Sequence, residues 1–132
     1  MQDFDVYEQF RDSMRRFATD KVAPHAAKVD RTGNFPAATY EAFREEGLLG
    51  LAFEEALGGQ AGDLMSLVIC SEEVARYCAT SSQLLMNNWI ASYPLLKHGS
   101  LELIERVIPA IATGDKSMGW CLTEPQSGSD LW

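Results

Sequence analysis

The sequence predicts an all-α domain of about five helices, followed by the first strand and loop of a β-domain. Three observations carry that prediction. Apolar residues recur at steps of three and four through most of the 132 residues, the period of an amphipathic helix. Proline, glycine and capping residues punctuate these stretches. A single segment, 117–122, has strand-like texture and no second strand in sequence to pair with, and a lone strand is unstable. The reading therefore divides the chain into a helical domain over 1–116 and the start of a truncated β-domain over 117–132.

The elements are justified in order. Tyr7, Phe10, Met14 and Phe17 form one helical stripe, with Arg11, Asp12, Arg15 and Arg16 off it. Pro24 is expected to end or bend this helix near Val22. Pro36 suits the first turn of a second helix. Tyr40 and Phe43 give that helix its apolar side, and Gly47 is placed to stop it. The glycine-punctuated run LLGLAFEEALGGQAGD at 48–63 is long for a plain connection and is expected to pack against something. Asp63 can cap a third helix, with Leu64, Leu67, Val68, Ser71, Val74, Ala75 and Cys78 on one side. The small residues at 79–82 predict a break. A fourth helix over 83–97 is apolar around most of its circumference and should lie centrally, with Pro94 kinking it or near its end. Leu101, Ile104, Val107, Ile108 and Ile111 mark a fifth helix, closed by Gly114.

Composition excludes several functions. With 46% hydrophobic and 23% charged residues the chain is an ordinary folded protein, so disorder is excluded for most of it. The net charge of −8 repels phosphate backbones and argues against nucleic acid as a partner. The longest apolar runs are too short to span a bilayer. The N-terminus MQDFDVYEQF has no Lys or Arg, unlike a secretory signal or transit peptide. The expected location is bacterial cytoplasm or mitochondrial matrix. Cys70, Cys78 and Cys121 are odd in number without CxxC spacing, and His25 and His98 are far apart. These read as reduced thiols and ordinary imidazoles, with no metal site.

The run WCLTEPQSGSD at 120–130 carries the most chemistry. Pro125 biases Glu124 toward extended backbone. Gly128 permits a tight turn whose flanking amides can form an anion-binding concavity. Thr123, Ser127 and Ser129 add hydroxyls. Such a loop can hold a phosphate or a planar polar heterocycle, and the same composition also suits a plain surface turn.

The run resembles the TEP-x-x-GSD signature of the acyl-CoA dehydrogenase family. FEEALGG at 53–59 is similar to that family's PEEYGG-type connection. KHGSLELIERVIPAIATGDK at 97–116 resembles the segment that precedes its TEP loop. The resemblance covers nearly the whole chain, and it implies the family's N-terminal helical domain. It implies bound FAD and oxidation of the Cα–Cβ bond of an acyl-CoA to an enoyl-CoA. It further implies an electron-transfer flavoprotein as acceptor and a homo-oligomer, dimer or tetramer. Under it, Trp120, Cys121, Leu122 and Thr123 line the flavin ring. Gly128 and Ser129 approach the FAD pyrophosphate, Ser129 also lies near the CoA portion of the substrate, and Met86, Trp89 and Ile90 line the acyl cavity.

The sequence departs from the pattern at Glu54, Leu57, Trp120 and Trp132. The glutamate base is expected beyond residue 132, which leaves no catalytic residue assigned here and makes the chain the N-terminal portion of a longer enzyme, inactive alone. The pairs Glu45–Glu46, Glu54–Glu55 and Glu72–Glu73 read as solvated surface pairs. Two other readings remain: a free-standing helical module that binds a partner or acyl ligand without redox activity, and a flavin oxidase or monooxygenase of the same fold.

Overall fold

The computed structural model describes residues 2–130, and the side chains of residues 4–130. Trp132, one of the departures above, lies outside the described residues. Six α-helices form among the described residues: α1 Gln2–Phe17, α2 Ala23–Thr32, α3 Ala37–Glu45, α4 Leu64–Ala75, α5 Ala79–His98 and α6 Leu101–Ala112. The expected all-α class is met.

The first helix changes form near Val22, where Pro24 leads one to expect an end or a bend. Helix α1 itself ends at Phe17, and the helical path continues beyond it. A π-helical turn, Ala18–Val22, carries the chain from α1 into α2. Pro24 has no N–H and cannot join a regular helical ladder. The wider turn, in which the Ala23 N–H reaches back to the Ala18 carbonyl, passes Pro24 into the first turn of α2, where a missing donor costs nothing. Ala18 and Val22 of this turn are buried in the core.

Helix α3 begins after Pro36 and is stopped by Gly47, which adopts the left-handed conformation (φ 68°) that glycine tolerates without strain. The following connection packs inward, as expected. Leu48, Leu49, Leu51 and Phe53 are all core residues. The connection closes on itself through backbone bonds from Gln60 N to Gly50 O, Ala61 N to Phe53 O and Gly62 N to Leu51 O. A Cβ at Gly59 would lie 2.1 Å from the Phe53 carbonyl oxygen, so no other residue fits that crossing.

Asp63 caps α4 as the sequence predicts, its carboxylate accepting the Ser66 N–H at 2.8 Å. The break expected at 79–82 falls earlier. Cys78, in extended backbone, caps α5, which starts at Ala79. The small residues instead allow close approach of two helices: Ser82 Oγ donates to the Ser71 carbonyl at 3.0 Å. Helix α5 runs through Pro94 to His98. Ser100 caps α6, and Gly114 (φ 78°) ends the turn that follows it. Arg44 ties the two ends of this layer together, donating to the Thr113 carbonyl and pairing with Asp115.

Among the described residues no strand ladder forms. Residues 117–122 are irregular, and the one β-type pairing is an isolated bridge between Glu124 and Ser127. A strand needs a neighbour to exchange backbone bonds with, and no described residue offers one.

Candidate functional site

Helix α4 has two working faces, and the sequence reading found only one. Ile69, Cys70, Glu73 and Val74 are the buried face. Of the stripe drawn from sequence, Val74 and Cys78 are buried in the core, and the rest, Leu64, Leu67, Val68, Ser71 and Ala75, lies on the other side. There it forms one wall of an open, almost entirely apolar groove of about 760 Å³. The opposite wall comes from α5, through Met86, Trp89, Ile90, Tyr93 and Leu96. Ala52 and Phe53 reach it from the connection before α4, and Trp120 from the loop.

Large apolar side chains stay open to water along this groove: Leu64 is 76% exposed, Val68 51%, Ile90 47% and Trp120 45%. A contiguous exposed apolar surface of this kind marks a binding site. Trp89 is held rigidly at its base, buried and donating its indole N–H to the Leu49 carbonyl at 3.2 Å.

The structure brings together four of the residues singled out from sequence: Met86, Trp89, Ile90 and Trp120 all line the groove. Cys121, Leu122, Thr123, Gly128 and Ser129 do not line it and are exposed on the loop. The Thr123 and Ser129 hydroxyls make no hydrogen bond among the described residues, and the Ser127 Oγ is buried without a partner. A Cβ placed on Gly128 would meet only the Thr123 methyl, at 4.0 Å. The loop thus presents unsatisfied hydroxyls around an open backbone.

The glutamate pairs need one correction. Glu73 is not solvated; its side chain is fully buried. Burial alone would push its pKa up. Hydrogen bonds and charges from Arg15, Arg11 and Arg76 outweigh that and hold it below the usual carboxylate range. Arg11 bonds Glu73 at 3.0 Å and Arg15 bonds it at 3.2 Å, which sews α1 onto α4. Tyr7 extends this seam to Asp63, and Thr19 pairs with Tyr77. The missed signal was periodic: position 73 falls in step with Ile69, Cys70 and Val74, and Arg11 and Arg15 stand one turn apart on α1.

Glu72 is the acidic residue on the groove wall, and Arg11 engages it. Burial raises the Cys70 thiol to about 12, so it stays protonated; Cys121 is the exposed cysteine. No group of three or more His, Cys, Asp or Glu among the described residues is arranged to hold a metal. No helix among them is long and apolar enough to cross a membrane.

Comparison with known proteins gives a consistent result. The family model described as acyl-CoA dehydrogenase, N-terminal domain, matches residues 5–115. Cyclohexane-1-carbonyl-CoA dehydrogenase of Geobacter metallireducens is 36% identical, over 97% of this chain and 35% of that protein. The mitochondrial short-chain specific acyl-CoA dehydrogenase of Sus scrofa is 35% identical, over 96% of this chain and 31% of that protein. Butyryl-CoA dehydrogenase from Megasphaera elsdenii superposes with a TM-score of 0.84 at 27% identity, over 96% of this chain and 34% of that one. An acyl-CoA dehydrogenase from Bacillus anthracis, complexed with FAD, gives 0.85 at 26% identity, over 96% of this chain and 22% of that one. The chain spans about a third of the length of the curated relatives it matches.

Proposed function

The chain belongs to the acyl-CoA dehydrogenase family, and from that premise we propose that it is the N-terminal portion of an FAD-dependent enzyme oxidising the Cα–Cβ bond of an acyl-CoA. One observation carries the reading. Trp120, from the signature loop, and Met86, Trp89 and Ile90, from α5, converge on a single apolar groove. A loop suited to a flavin therefore adjoins a surface suited to an aliphatic chain.

The residues present fit a flavin. The buried, unpartnered Ser127 Oγ and the open backbone at Gly128 describe a loop whose donors are not consumed internally. Trp120, Cys121, Leu122 and Thr123 would hold the ring, and Gly128 and Ser129 the pyrophosphate, with Ser129 also toward CoA. When bound, FAD supplies the acceptor for the β-hydrogen of the acyl group.

The chain's own residues do three things in this account. The α4 and α5 walls take the acyl chain out of water, a favourable transfer of about 0.8 kcal/mol per buried methylene. Trp89, fixed by its bond to Leu49, gives that wall a stiff floor. The Thr123 hydroxyl would donate to the ring and tune its electron affinity. The catalytic base is not assigned to this chain, because the one acidic groove residue, Glu72, is held by Arg11.

An electron-transfer flavoprotein as acceptor and a homo-oligomeric state belong to the same proposal, supported by family membership. The test is anaerobic addition of acyl-CoA to the purified full-length polypeptide that carries this chain. Flavin absorbance near 450 nm should bleach as an enoyl-CoA appears. A protein that binds acyl-CoA but no flavin would instead be a ligand-binding module, and rapid reoxidation by oxygen would make it an oxidase.

A further inference from the structure

Residues 117–130 are mostly exposed, and among the described residues they hydrogen-bond to the helical body at one residue only. Met118 donates its N–H to Asn88 Oδ1 at 3.0 Å, across thirty positions of sequence. The same residue is gripped a second way. Ser92 stands one helical turn beyond Asn88, donates to the Asn88 carbonyl at 2.6 Å, and touches Met118 Sδ at 3.3 Å. The Met118 side chain packs against the core cluster. The other backbone bonds of the segment, between Glu124 and Ser127, are internal to it.

Asn88 is 2% exposed, and its Nδ2 is buried with no partner. A leucine would fill a helix interior at lower desolvation cost. A buried amide kept at such a cost is explained by the bond it makes, since a directional contact selects one arrangement where apolar packing tolerates several.

We infer that Asn88 is a positioning residue, fixing the register of the 118–123 segment and hence the placement of Trp120 on the groove and of Thr123 at the proposed flavin. Trp120 follows Met118 by two residues, and Ile90 follows Asn88 by two; both line the groove. One bond therefore sets the spacing between loop and acyl wall. The functional half of the inference rests on the proposed flavin and acyl-CoA reading.

The test uses three variants of the full-length polypeptide carrying this chain. Asn88→Leu removes the acceptor. Met118→Pro removes the donor, together with the side chain that touches Ser92, and leaves the sequence of α5 unchanged. Ser92→Ala keeps the amide bond and removes the contact to Met118 Sδ. Hydrogen exchange is followed in peptides covering 117–123, with a peptide from α6 as the internal reference. Asn88→Leu and Met118→Pro should both accelerate exchange in 117–123 and leave α6 unchanged, with Ser92→Ala between them and the parent. In the flavin-loaded enzyme both should lower kcat by about tenfold or more while KM moves less than about threefold, since misplaced groups penalise the reacting geometry more than binding.

If Asn88→Leu does not fold, Met118→Pro decides the matter alone. Unchanged exchange in 117–123, or faster exchange with kcat intact, would overturn the assignment. A parent protein that takes up no flavin would defeat the functional reading, and the exchange data would still show whether Asn88 anchors the segment.

Discussion

The two faces of α4 are built by different physics. Toward α1 the contact is polar and directional: Glu73 sits fully buried among Arg11, Arg15 and Arg76, with Tyr7–Asp63 and Thr19–Tyr77 at either side. Toward α5 the contact opens into an apolar groove whose Leu64, Val68 and Ile90 remain in water. A polar seam has one good geometry and holds it. The groove walls, joined by hydrogen bonds only at Ser71 and Ser82 among the described residues, tolerate more than one shape, and a contiguous exposed apolar surface of this kind suits a binding partner or ligand. One helix is thereby scaffold on one side and, in the proposed reading, site on the other.

The largest expected effect breaks the seam. Glu73→Ala should destabilise the fold by on the order of 2–3 kcal/mol, below the usual range for an orphaned buried charge because the three guanidiniums reach water. Chemical denaturation of the variant measures it. A loss below about 0.5 kcal/mol, the range of ordinary surface substitutions, would mean the seam is not what holds α1.

Acid should reach the same seam without mutation. Glu73 and Asp63 both have lowered pKa values, Asp63 through its bonds with Tyr7 and Ser66. A carboxylate depressed in the folded state contributes stability above its unfolded pKa, about 4.3 for Glu and 3.9 for Asp. That contribution is lost as pH falls through the lower folded value. Thermal stability should be flat near neutrality and fall in the acid range below pH about 4. In Glu73→Ala the fall should be shallower.

The groove responds differently. Trp89→Phe should cost about 1 kcal/mol, the net worth of its lost hydrogen bond to Leu49, and should soften the groove floor. Smallest of all, Val68→Ala and Ile90→Ala should change stability by less than about 0.5 kcal/mol. They should weaken binding of a long-chain acyl-CoA by several-fold, read by calorimetry. Equal stability losses on both faces would erase the distinction between scaffold and site.

Much of this was legible in sequence because apolar spacing and caps are local. Asp63 before α4, Gly47 after α3 and Gly114 after α6 each announce a boundary through one residue's conformational chemistry. The signature loop was legible as a motif, and its Trp120 does meet three companion positions, Met86, Trp89 and Ile90, at the groove. Three features were not legible. The π turn answers a proline within the same helix by shifting the ladder, which periodicity alone does not reveal. The start of α5 depends on Cys78 capping Ser81, while the small residues after it resemble a break and instead serve close packing against Ser71. The inward Glu73 depends on arginines some sixty positions earlier, and pattern reading along one helix cannot bring them together. For α4 the apolar stripe was drawn as a single side, yet its Val74 and Cys78 turn to the core and the rest to the groove; a helix apolar on two sides does not say which side is covered.

The most direct test of the central claim is photolabelling of the full-length, flavin-loaded polypeptide with an acyl-CoA bearing a diazirine at the far end of its chain. The account predicts covalent labelling of groove residues on α4 and α5, with Met86, Trp89 and Ile90 among them, suppressed by excess unlabelled acyl-CoA. Specific labelling confined to positions outside the groove would contradict it.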